Sequence, residues 1–177
     1  MRARSLALIS ALFLTAALAF AQSKAKPAYA DIMNAKGEKI GTAKFEMSDL
    51  GIGVMVSIKV DHLTPGQHGV HIHNVGKCEG PAFTTAGGHF NPTNAHHGVN
   101  NAQDPHPHLG DMANLNADFM GKAEANFQLP TANLSSGPNS LFHDGGTSIV
   151  IHAKPDDLMS DPSGNSGDRV ACGVIEK

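Results

Sequence analysis

The feature that most constrains this chain is a strand pattern that stops. Val54, Val56, Ile58 and Val60 interleave with Met55, Ser57 and Lys59, a period of two that fits a half-buried β-strand and not a helix. Lys39–Met47 alternates as well, with Ile40, Thr42, Lys44 and Glu46 on one face and Gly41, Ala43, Phe45 and Met47 on the other. Val-His-Ile-His follows at 70–73. For about 35 residues after that, apolar periodicity gives way to Gly, Pro, Asn and His. A stretch that long without pattern is uncommon in a compact domain, and must be functional or held by something. Strand-like patterning resumes at 115–119, 122–129, 148–152 and 169–175, with polar loops at 134–146 and 154–168. With a short mixed run at 28–35 this makes eight short strands joined by long loops, which predicts an antiparallel sandwich or barrel.

A length of 177 residues fits one domain, and 41% apolar with 16% charged content suffices for a buried core. The formal charge of −3 supplies no basic field, so no nucleic-acid partner is expected. The N-terminus reads apart from the fold. Arg2 and Arg4 precede an apolar run over 6–20, and Ala19-Phe20-Ala21 forms a small-x-small cleavage site before Gln22, the secretory pattern. The run is shorter than the ~20 residues that span a bilayer. Residues 1–21 are therefore expected to be a removed signal peptide. Residues 22–177 would be the mature domain, periplasmic or secreted, with no stable membrane insertion. Cleavage near Ala21 removes two arginines and no acid, which moves the formal charge from −3 to −5. An exported chain meets an oxidising compartment, and two cysteines allow one pairing, Cys78 with Cys172, the alternative being two buried thiols. That bridge would close about 95 residues, worth roughly 4–5 kcal/mol on the chain-entropy account.

Eleven histidines against two cysteines point to a metal held by nitrogen. His71 and His73 stand two apart on a strand, so their side chains share a face. That spacing alone also describes two exposed strand histidines. The long loop adds His89, His96, His97, His106 and His108, with Asp111 just beyond a Gly turn, and His152 ends an apolar strand. A loop without a core of its own can be ordered by a metal that ties it down.

In this order the pieces resemble the copper–zinc superoxide dismutase family. They are Gly69-Val-His-Ile-His73, Ala86-Gly-Gly-His-Phe-Asn-Pro92, His97-Gly98, His108-Leu-Gly-Asp111, Ile151-His-Ala-Lys-Pro-Asp-Asp-Leu158 and Gly167-Asp-Arg-Val-Ala-Cys-Gly-Val-Ile175, and they cover nearly all of the mature chain. The resemblance implies an eight-stranded antiparallel Greek-key barrel, a flattened sandwich with two long functional loops. It implies two cofactors, copper on His71, His73, His89 and His152, and zinc on His89, His97, His108 and Asp111. His89 would bridge the metals and carry a proton in turnover. Four nitrogens suit Cu(II), and three His with one Asp make a closed structural zinc shell. Asp156 would accept hydrogen bonds from His71 and His97, and Arg169 would hold the superoxide anion that is the substrate. The Cys78–Cys172 pair also matches the family's disulfide.

Some residues depart from the pattern. The segment between Cys78 and His89 is longer than in animal members and resembles bacterial ones. The loop at 154–168 is shorter than in animal members and lacks their charged cluster, which leaves Arg169, with Lys77 and Lys154 as further candidates, to steer the anion. His62, His68 and His143 have no match and are read as exposed loop residues. His96 and His106 adjoin expected ligands without a role. Family members occur as monomers and as dimers, so a homodimer stays open. The competing reading is a periplasmic copper- and zinc-binding protein without fast turnover.

Overall fold

The structure, a computed structural model, describes residues 25–105 and 107–177. The expected signal segment and His106 lie outside the described residues. Among the described residues nine strands follow in order: β1 (Ala28–Asn34), β2 (Lys39–Met47), β3 (Val54–Val60), β4 (Gly66–His68), β5 (Val70–His73), β6 (Leu115–Ala117), β7 (Ala123–Leu129), β8 (Ser148–His152) and β9 (Arg169–Val174). The helical element among the described residues is a single 3₁₀ turn, Thr84–Ala86. No helix there is long and apolar enough to cross a membrane.

Seven strands form one antiparallel sheet in the order β5-β8-β9-β1-β2-β3-β7, and β4 pairs with β6. The sheet curls into a half-barrel, and β4 runs into β5 through Gly69, so one stretch of chain changes partner there. The alternation in β3 is borne out: Val54, Val56, Ile58 and Val60 are all buried. In β2 the expected two faces do not persist along the strand. Ile40 is buried together with Ala43 and Phe45, because the pairing with β1 skips from Ile32–Gly41 to Met33–Lys39. An extra residue in one strand reverses which face its neighbours occupy. The added strand, Gly66–His68, has no apolar alternation by which the sequence could reveal it.

β5 and β8 are buried along their full length. Val70, Ile72, Ile149 and Ile151 enter the main core with Ile32, Phe45 and Ile58. Val150 and Cys172 face the other way, with Phe83 and Ala86 packed over them and Cys78 alongside. The expected disulfide joins Cys78 to Cys172, with Cα atoms 5.6 Å apart. The long loop therefore covers the outer face of β5, β8 and β9. Its main chain is stitched to β5: the Ile72 N–H donates to the Gly110 carbonyl (2.9 Å), and the Phe90 and Asn74 N–H groups donate to the Ile72 (2.8 Å) and Gly88 (2.9 Å) carbonyls. His71 and His73 lie under this cover.

Candidate metal centre

Hydrogen bonds at one nitrogen of each ring fix what the other nitrogen can do. His73 Nδ1 meets the Gly87 carbonyl (2.9 Å) and His152 Nδ1 meets the Gly167 carbonyl (3.1 Å). A carbonyl only accepts, so these nitrogens carry the proton and each Nε2 keeps a lone pair. His71 is turned the other way. Its Nε2 donates to Asp156 Oδ2 (2.7 Å), which leaves Nδ1 as the lone-pair atom. His89 sets Nδ1 against Asp111 Oδ1 (2.9 Å) and leaves Nε2 free. The four remaining atoms, His71 Nδ1 and Nε2 of His73, His89 and His152, are buried and have no hydrogen-bond partner among the described residues. They lie within 4.8 Å of one another. A buried polar atom left unpaired costs about 1–3 kcal/mol. Four such atoms turned on one point fit a cation that accepts nitrogen lone pairs.

A second group shares His89. Nδ1 of His89, His97 and His108 surrounds the Asp111 carboxylate at 2.9–3.3 Å. The carboxylate is aimed by main chain: its Oδ2 accepts the Gly98 and His108 N–H groups at 2.9 and 3.1 Å. Three imidazoles and one carboxylate within 4.8 Å suit a closed zinc shell. Asp156 ties the two groups together, accepting from His71 Nε2 and, at Oδ1, from His97 Nε2 (3.0 Å). It sits in a clamp in which Asn114 exchanges two hydrogen bonds with its main chain at 2.8 Å. Gly164 must be glycine here, since a Cβ would run into the Asp156 carboxylate.

Electrostatics separate the groups. Burial pushes His71 down to about 3, His73 to about 2 and His152 to about 4, so these rings are neutral at ordinary pH. His89 is lowered for the same reason. Burial also opposes charge on His97, but the carboxylates of Asp111 and Asp156 outweigh it and raise this ring to about 9. Burial opposes the charge on Asp111 too, and His108, His89 and His97 overcome it and hold the carboxyl far below its usual range.

The family model for copper/zinc superoxide dismutase matches residues 39–175. The chain belongs to the copper/zinc superoxide dismutase family. It is 45% identical over 150 residues to superoxide dismutase [Cu-Zn] 1 of Aquifex aeolicus, covering 84% of this chain and 86% of that one. A second Aquifex aeolicus superoxide dismutase [Cu-Zn] is 42% identical over 98% of this chain and 95% of its own. Among solved structures, a double mutant of a SOD-like protein from Bacillus subtilis superimposes with a TM-score of 0.79 at 36% identity, over 84% of this chain and 97% of that one. Copper and zinc are the family's cofactors, and superoxide its substrate.

Arg169, expected to hold the anion, stands at the start of β9 and is half-buried. Its Nη1 and Nη2 donate to the Phe83 and Gly87 carbonyls, both at 2.7 Å. Beside it lies a depression of about 570 Å³ bordered by Pro81, Ala82, Thr84, Gly167 and Asp168. Lys154 packs its stem against Gly167 at the rim. Two histidines are corrected. His68 is 2% exposed, not a loop residue, and bridges the His152 carbonyl (Nδ1, 2.6 Å) and the Thr64 carbonyl (Nε2, 2.8 Å). His143 is half-buried and stacks on Phe90 with ring centroids 5.2 Å apart. His62 is exposed as expected. His96 pairs with Asp161, a residue that no motif in the chain singles out.

Proposed function

We propose that this chain is an exported superoxide dismutase. His71, His73, His89 and His152 hold copper, and His89, His97, His108 and Asp111 hold zinc. Copper, when bound, supplies a one-electron couple that oxidises one superoxide to oxygen and reduces a second to peroxide. Arg169 binds and orients the anion: its two carbonyl contacts pin the guanidinium at the edge of the depression, and its charge does not titrate. When its Nε2 is not engaged by the metal, His89 would take a proton from solvent at that atom and pass it to the departing peroxide, and solvent would supply the second proton of hydrogen peroxide. Asp111 and the outer hydrogen bonds at Gly87, Gly167 and Asp156 keep every ring in the tautomer that presents a lone pair inward. The observation that carries the reading is the set of four orphaned, buried, convergent nitrogens, with His89 turned toward both groups.

Residues 1–21 direct export and are cleaved near Ala21, leaving 22–177 in the periplasm or the medium. The Cys78–Cys172 bridge supports an oxidising destination. Superoxide decay is measured with the copper- and zinc-loaded protein against its copper-free form. The expected result is a copper-dependent rate approaching the ceiling of about 10⁹ M⁻¹s⁻¹. A rate no higher than free aqueous copper, with both metals bound, overturns the enzyme reading in favour of a metal-binding protein.

A further inference from the structure

Two loops meet over His97, and one carboxylate joins them. Asp161 Oδ1 accepts the His97 main-chain N–H at 2.6 Å. Its Oδ2 pairs with His96 Nδ1 at 2.7 Å and receives Asn101 Nδ2 at 3.4 Å. Asn101 Nδ2 also donates to the carbonyls of His97 (3.0 Å) and Met159 (2.9 Å), and the Asn100 N–H donates to the Leu158 carbonyl (2.9 Å). Thus residues 96–101 of the long loop are laced to residues 158–161 of the later one. The hydrogen bonds, led by the one from the His97 main chain, hold the Asp161 carboxyl below its usual range. His97 is therefore gripped twice, by Asp156 at the ring and by Asp161 at the main chain. Neither His96 nor Asp161 belongs to the motifs that carry the family resemblance.

We propose that Asp161 is a positioning residue, a latch between the two loops that must open before zinc leaves. This rests on the reading of His97 as a zinc ligand. Asp161 and His96 are both more than a third exposed, so solvent replaces their contacts readily once broken. The latch therefore acts on how often the loops part, and its signature is the rate of zinc loss.

The test follows zinc release from the copper- and zinc-loaded protein to a chromogenic chelator. Asp161→Ala releases zinc about tenfold faster, the lower end of what loss of a ligand's supporting partner produces. Asp161→Asn, whose amide oxygen still accepts the His97 N–H, stays close to wild type. His96→Ala keeps that bond and accelerates release less than Asp161→Ala. The copper electron paramagnetic resonance spectrum is unchanged in all three. A wild-type release rate in Asp161→Ala overturns the latch, as does equal acceleration in the Asn and Ala variants, or copper loss alongside zinc. His97→Ala separates the two readings. Zinc retained in that variant sinks the ligand assignment, whereas zinc lost there with Asp161→Ala unaltered sinks the latch alone.

Discussion

The proposed copper side and the proposed zinc side of this centre are built from different materials. Three of the four copper-side rings stand on β5 and β8, strands buried on both faces, and are steered by main-chain carbonyls and one carboxylate. The zinc side comes wholly from the long loop, which among the described residues has no strand of its own between β5 and β6, and centres on the Asp111 carboxylate. Burial discharges the first group, and carboxylates charge His97 in the second. The difference teaches that the sheet makes the copper side in advance, while the zinc side is assembled by attraction between opposite charges and so depends more on its ion.

The sharpest break in that comparison is His152→Ala. Removing a ring held on β8 should abolish superoxide dismutation and copper binding while zinc stays at wild-type stoichiometry, read by elemental analysis and activity together. Activity at the wild-type level would remove copper from that strand. Asp156→Asn comes next, because it strikes the shared element. Asparagine keeps one accepting oxygen and turns an NH₂ on the other imidazole, so binding should weaken by about 10–100-fold. Competition titrations for each metal decide whether both sides move; a change confined to zinc would mean the carboxylate serves the loop alone.

Arg169→Ala leaves both metals in place and should lower the second-order rate by roughly tenfold or more, with a weaker dependence on ionic strength. An unchanged rate and salt slope would take the anion site away from β9. The smallest effect is thermal. In the metal-free protein His71, His73 and His152 stay neutral down to about pH 3, 2 and 4, while in the unfolded chain they protonate near 6.5. The unfolded state then binds more protons as pH falls below about 6.5, so stability declines from there toward pH 4. His97, raised to about 9, has the opposite sign: its contribution is full below about 6.5 and is lost as pH rises through 9. His97 adds no slope below about 6.5, so the three lowered rings act alone there, and the metal-free melting temperature should drop by about 5 °C or more between pH 6.5 and 4.5. Calorimetry showing a flat profile there would contradict the contrast between the two sides.

Much of this fold and site is legible in the sequence, and the exceptions have a common cause. The β3 alternation and the ordered histidine motifs are local signals, and they mark the strand and the candidate ligands directly. Alternation alone puts Ile40 on the wrong face, because a bulge depends on the partner strand, not on the residue. His68 looked like a loop residue because its partner at 2.6 Å is the main-chain carbonyl of a residue 84 positions later. Asp161 meets His97 across 64 positions, again through main chain. Carbonyls and N–H groups occur at nearly every position, so contacts made to them leave no mark in the sequence.

One such oxygen carries more than its share. The Gly87 carbonyl receives both the His73 Nδ1–H and the Arg169 Nη2–H, joining the proposed anion site to a proposed copper-side ring through a single atom. Because that atom is part of the peptide, side-chain substitution anywhere else in the chain cannot delete it. An alanine scan reaches the connection only from its donor ends, at His73 and Arg169. Genetic drift can reach it chiefly at one codon, since Gly87 has a φ of 74° and a Cβ there would press to 3.0 Å on Val75. The link between the proposed anion-binding arginine and the proposed copper-side ring thus rests, on its accepting side, on a residue with no side chain at all.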